Sequence, residues 1–192
     1  MISQRELFAS LYGALRLARA DTGGMRYFNA TFDGFWNSFT AAALVAPLFA
    51  LLLWIRYVSD GLTVSLLRFG LIEVFSYIIA WTVFPLIMFY VAQLIERERQ
   101  FIGFVVAYNW ASVWQNFVYL PIAMVGELGW VPLQAASSLS LVVLAGVLLY
   151  TWFIARTALA ISTMIAAGIV AGDFLISIVL NVVTDGMLRV GR

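Results

Sequence analysis

The chain has no cysteine and no histidine, and every basic residue in it is an arginine. These absences exclude whole classes of chemistry. Without cysteine there is no disulfide, no thiol nucleophile and no iron–sulfur ligation. Without histidine there is no His-ligated haem and none of the usual zinc sites. Without lysine there is no Schiff-base amine and no phosphate-binding loop ending in lysine. Charge is also scarce. Charged residues make up 11% of 192, and a net charge of +1 gives no basic footprint for nucleic acid. What fills the sequence is apolar: 64% of residues are hydrophobic and the mean hydropathy is +0.97. A soluble domain carries about 25% charged residues. There is too little polar sequence here to coat a globular core, and lipid as the outer solvent removes the mismatch.

The first 34 residues read as a cytoplasmic amphipathic helix and a juxtamembrane segment, not as a signal peptide, because Arg5, Arg16 and Arg19 interrupt any apolar core. Ser3-Gln4-Arg5-Glu6 fits a capping box with Ser3 as N-cap and Glu6 reaching back. Leu7, Phe8, Leu11 and Leu15 share one face, the arginines the other, and Thr22-Gly23-Gly24 supplies a stop. Such a helix suits an anionic membrane surface or the protein's own cytoplasmic end. Asn29-Ala30-Thr31 matches a glycosylation sequon on the side expected to be cytoplasmic, and reads as chance.

Residues 35–192 hold five apolar runs near the length that crosses about 30 Å at 1.5 Å per residue: Phe35–Ile55, Phe69–Ala92, Ile102–Val125, Leu133–Ile154 and Ala158–Val183. The expected fold is therefore all-α, a polytopic transmembrane bundle of five helices preceded by the interfacial helix. The break at Arg156 is short, so the fourth and fifth runs should form an antiparallel hairpin. With the N-terminus inside, seven arginines (5, 16, 19, 26, 97, 99, 156) face the cytoplasm and four (56, 68, 189, 192) the outside. The positive-inside rule then predicts a cytoplasmic N-terminus and a periplasmic C-terminus. The lysine-free, alanine-rich composition points to a GC-rich bacterial genome, hence to an inner membrane. Trp36, Trp54, Trp130 and Trp152 lie near run ends, where interfacial aromatics belong.

Polar residues inside the runs are the functional pointers, because each is costly in lipid. Asp173 lies near the middle of the fifth run and shares a stripe with Ser162, Ser177 and Thr184. Gly168 and Gly172 form a Gly-x-x-x-Gly pair on other faces, which predicts close helix packing there. The third run carries an arc of Tyr108, Asn109, Ser112, Gln115, Asn116 and Tyr119. Groups of this kind must face protein or a wet cavity. Gln115 and Asn116 come out at the depth of Asp173, so the third and fifth runs are expected to touch there. Asp173 and the arc are either a proton or cation site in a polar pocket or hydrogen-bonded glue between helices. Glu73, near the outer end of the second run, is expected to pair with an arginine of the outer loop or with Tyr119, the alternative being a catalytic carboxylate. Pro85 and Pro121 are expected to interrupt their helices. No catalytic constellation forms, so no enzyme, cofactor or metal site is expected.

The five-span order from about Phe35 onward, Pro85, Tyr108, Pro121 and the hairpin sequence Tyr150-Thr-Trp-Phe-Ile-Ala-Arg156-Thr-Ala-Leu159 resemble the bacterial branch of the Yip1-domain membrane proteins. That resemblance implies a membrane-organising or accessory role. The family's Asp-Leu-Tyr-Gly-Pro-type motif is not matched: Leu11-Tyr12-Gly13 has neither the preceding Asp nor the following Pro, so GTPase binding is not carried over. The small-residue face Ala42, Ala46 and Ala50 fits the same reading. The expectation is a non-catalytic scaffold or accessory subunit, with the lipid bilayer and other membrane subunits or a second copy as partners. The alternative is a small transporter or channel built around Asp173.

Overall fold

A computed structural model describes residues 2–59 and 64–189. Among these residues all regular structure is helical: α1 Gln4–Ala18, a 3-10 turn Thr22–Tyr27, α2 Phe32–Ser38, α3 Thr40–Ser59, α4 Leu66–Leu94, α5 Glu98–Glu127, α6 Leu133–Leu159 and α7 Thr163–Arg189. Four helical segments are long and apolar enough to cross a membrane: Phe32–Ser59, Leu66–Leu94, Leu133–Leu159 and Thr163–Arg189. Their outward surfaces are apolar and uncovered, as at Phe75, Val142 and Val182, each more than three-fifths exposed. Water would not tolerate so large a contiguous apolar surface, and lipid requires it.

α5 is the longest helix but differs in kind. Its polar arc lowers its hydropathy, so apolarity alone does not mark it as a span. It is instead the most enclosed helix, with ten buried residues, and it packs against α1, α2, α3, α4 and α6. The consecutive long helices alternate in direction. One end of the bundle gathers Arg56, Glu127 and Asp185, with the Arg68 guanidinium donating to Met187 O at 2.9 Å. The opposite end holds the α6–α7 hairpin, where Trp152 Nε1 donates to Thr163 O at 3.2 Å.

Several local expectations are corrected. The first run is not one helix: it breaks at Phe39, where the Ser38 and Thr40 hydroxyls donate to Phe35 O and Asn37 O and compete with the helical ladder. The hairpin turn lies at 160–162 rather than at Arg156, because α6 continues to Leu159. Ala160 ends it at φ 50, and Ala20 and Glu96 likewise take positive φ after α1 and α4. These stops use left-handed residues that are not glycine, so the usual stop signal is missing from the sequence. In particular α1 ends at Ala18, and Thr22-Gly23-Gly24 starts the 3-10 turn instead. Pro85 and Pro121 sit inside continuous helices.

Ser3 caps α1 by accepting from Glu6 N at 3.1 Å. Glu6 does not complete the box; its carboxylate accepts from Asn29 and Asn37 at 3.0 and 3.2 Å and ties α1 to α2. The residues α1 buries deepest are Ser10, Gly13, Ala14 and Leu17, while Phe8 is 66% exposed. Close approach selects that small face. A Cβ on Gly24 would lie 2.5 Å from Gly13 O, so only glycine lets the 3-10 turn cross α1 there. Arg16 pairs with Asp21 beside it. The guanidinium hydrogen bond, and then the Gly23 N–H, hold the Asp21 carboxyl below its ordinary range.

Candidate functional site

Helices α3 to α7 line a half-open cavity of about 360 Å³. Each wall follows from the sequence pattern on one helix. α5 supplies Tyr108, Ser112, Gln115 and Asn116, spaced three and four apart and therefore on one side of a helix. α7 supplies Asp173, Ser177, Asn181, Thr184 and Asp185, α4 supplies Glu73, Ser76, Tyr77 and Trp81, α6 supplies Thr151, and α3 supplies Phe49 and Arg56.

Side-chain hydrogen bonds tie these helices in series. Tyr108 Oη donates to Asp173 Oδ1 at 3.1 Å, linking α5 to α7 across the cavity. Gln115 Nε2 donates to Thr151 Oγ1 at 3.1 Å, linking α5 to α6. The Ser76 and Thr184 hydroxyls meet at 2.7 Å between α4 and α7. Tyr77 Oη donates to Ala42 O at 2.7 Å between α4 and α3. Other lining groups turn back on their own helices: Ser112 to Tyr108 O, Asn116 to Ser112 O, Ser177 to Phe174 O and Asn181 to Ser177 O. Their carbonyl or hydroxyl lone pairs stay available to whatever fills the cavity.

Ser162 and Tyr119 lie outside the cavity, while eight of the eleven polar residues singled out in the sequence line it: Asp173, Ser177, Thr184, Tyr108, Ser112, Gln115, Asn116 and Glu73. Asn109 does not. It is fully buried toward α2, where its Nδ2 donates to Ser38 Oγ at 2.9 Å and its Oδ1 has no partner among the described residues. The expected depth match is off by about two turns: Asp173 meets Tyr108, not Gln115 or Asn116. The two helices join through that side-chain bridge, while α7 packs chiefly on α4 and α6.

Glu73 departs furthest from expectation. It is 4% exposed, and among the described residues none, Tyr119 included, gives it a hydrogen bond or ion pair; Arg56 acts on it only through its field. Arg56 is engaged elsewhere, 3.7 Å from Glu127 and 3.9 Å from Asp185. Gly168 and Gly172 are also corrected: a Cβ on either would meet nothing within 4 Å, so neither packs against another helix of this chain.

Thr151, Ser76, Asn181, Asp185 and Arg56 complete the lining and were not singled out from the sequence. Thr151 is a lone polar residue on α6 with no periodic partner. Asp185 and Arg56 sit at run ends, where charge reads as ordinary interfacial sequence. No group of three or more acidic side chains that could hold a metal ion occurs among the described residues. No family model, no curated protein and no solved structure matches this chain.

Proposed function

We propose that this is a five-span inner-membrane protein of the small transporter or channel type, whose central cavity takes up a small polar solute. The observation that carries the reading is the half-open 360 Å³ space between five helices, lined by Tyr108, Ser112, Gln115 and Asn116 of α5, by Glu73 and by Asp173. Interhelical glue alone accounts for Tyr108, Gln115 and Ser76, but it leaves Glu73 buried with no hydrogen-bond partner among the described residues. An intramembrane carboxylate of that kind is a functional site by default. The burial of α5 around Phe104–Val113 and its exposed apolar Phe117 and Val118 support its being the fifth span, packed on its neighbours at one end and facing lipid at the other. The arginine asymmetry supports a cytoplasmic N-terminus. The exposed Phe8, Phe32 and Trp36 support α1 and α2 lying at the inner interface.

The natural absence of cysteine supplies the test. Ser112→Cys and Ser177→Cys variants in native membranes should react with small membrane-impermeant thiol reagents from at least one side, while Gly168→Cys, facing lipid, should not. If neither cavity cysteine reacts from either side, the cavity admits no polar solute and the reading is lost.

A second reading, an accessory subunit that associates with another membrane protein or a second copy, is favoured by the uncovered Gly168–Gly172 face. Gly172→Ile should then abolish co-purification of a stoichiometric partner, or of a tagged second copy, from mild detergent. Purification of the natural chain as a lone monomer excludes it.

A further inference from the structure

We infer that the cavity takes a monovalent organic cation, an ammonium carried on a compact apolar body. The inference rests on the reading that the cavity admits a solute, and it assigns that solute's class.

The first argument is charge. Three carboxylates, Glu73, Asp173 and Asp185, line the space against one guanidinium, Arg56. Arg56 lies against Asp185 and Glu127, and among the described residues it acts on Glu73 only through its field, without a hydrogen bond or ion pair. Among the described residues Asp173 has only a hydroxyl, Tyr108 Oη, as its hydrogen-bond partner, and Glu73 has no hydrogen-bond or ion-pair partner. Anions therefore meet an excess of carboxylate over guanidinium.

The second argument is the aromatic wall between these carboxylates. Phe49 and Tyr77 stack with centroids 4.8 Å apart, Trp81 lies 6.1 Å beyond Tyr77, and Phe84 lies 4.8 Å from Tyr108. All five rings line the cavity. Ring faces beside carboxylates are what recognises a quaternary or substituted ammonium, because the quadrupole attracts the cation while the rings bury its apolar groups.

The third argument is size. A space of 360 Å³ falls within the range that holds a small organic molecule and far exceeds a dehydrated metal ion. A calcium-like ion needs six to eight converging oxygens, and the described residues offer no cluster of three acidic side chains.

Isothermal calorimetry on the full chain in mild detergent tests this with three probes: benzyltrimethylammonium, benzenesulfonate and calcium chloride. We expect saturable binding of the ammonium alone. Glu73→Gln and Asp173→Asn should each weaken it at least tenfold, and Trp81→Leu by a smaller factor, with helix content unchanged by circular dichroism. Equal binding of the sulfonate, binding of calcium only, or full affinity in both amide variants overturns the proposal. The comparison of probes on the natural chain stands even if a variant does not fold. If the cavity cysteines are labelled but the ammonium does not bind, the ligand class is wrong and the cavity reading survives. If they are not labelled and nothing binds, both fall.

Discussion

Asn109 and Asn116 sit on the same edge of α5, about 20° apart at 100° per residue, yet they live in opposite surroundings. Around Asn109 the helix is dry: Phe104, Val105, Trp110 and Ala111 are at most 1% exposed, and Ser38 at the α2–α3 break meets the amide directly. Two turns further along, no neighbour arrives. Asn116 bonds back to its own helix and faces the cavity. One polar stripe thus serves as glue at one height and as a pocket wall at another. Side-chain chemistry does not distinguish the two. The distinction is whether a neighbouring helix has a break at that level.

The sharpest way to break the comparison is to hollow out the dry end. Trp110→Ala should destabilise the bundle by about 3–5 kcal/mol, read by detergent-induced unfolding. Trp81→Ala, at the half-buried cavity wall, should cost less than half as much. Equal losses would mean that the cavity is as tightly filled as the dry end.

Glycines give a second contrast of smaller size. A Cβ on Gly34 would overlap Asn29 O, so Gly34→Ala must displace backbone at the dry end and should cost about 1–3 kcal/mol. Gly172→Ala meets nothing and should stay within about 0.5 kcal/mol in the isolated chain. A large loss at Gly172 would signal a partner seated on that face.

The smallest effect is local and depends on pH. Asp21 is held below its ordinary carboxyl range by Arg16 and Gly23 N–H. Its contribution is therefore present above the ordinary carboxylate pKa and is lost as pH falls through its lowered folded value. Amide exchange in residues 16–24, corrected for its intrinsic pH dependence, should rise over that acidic window, and Asp21→Asn should remove the pH dependence. An unchanged profile in the variant would show that the pair does not anchor the turn.

Much of this was legible in the sequence, and for identifiable reasons. Helix positions follow from long apolar runs, because in lipid every backbone group must be satisfied within its own segment. The members of the cavity follow from polar residues that lipid would not accept. Helix ends read poorly, since Ala20, Glu96 and Ala160 terminate helices without glycine. The Gly-x-x-x-Gly pair meets no neighbour within this chain, because spacing reveals that a close approach is allowed, not which helix makes it.

The sequence by itself determined that this chain is helical, that lipid surrounds it, and that Asp173, Glu73 and the α5 arc cannot face that lipid. Only the tertiary structure decided how they are shared out. Tyr108 rather than Asn116 bridges to Asp173, Asn109 is sealed against α2, and Glu73 is left facing an open space. Hydropathy and periodicity fix a residue's face and approximate depth along its own helix. The relative height and spacing of the helices, set by the break at Phe39 and the turn at 160–162, fix what stands opposite.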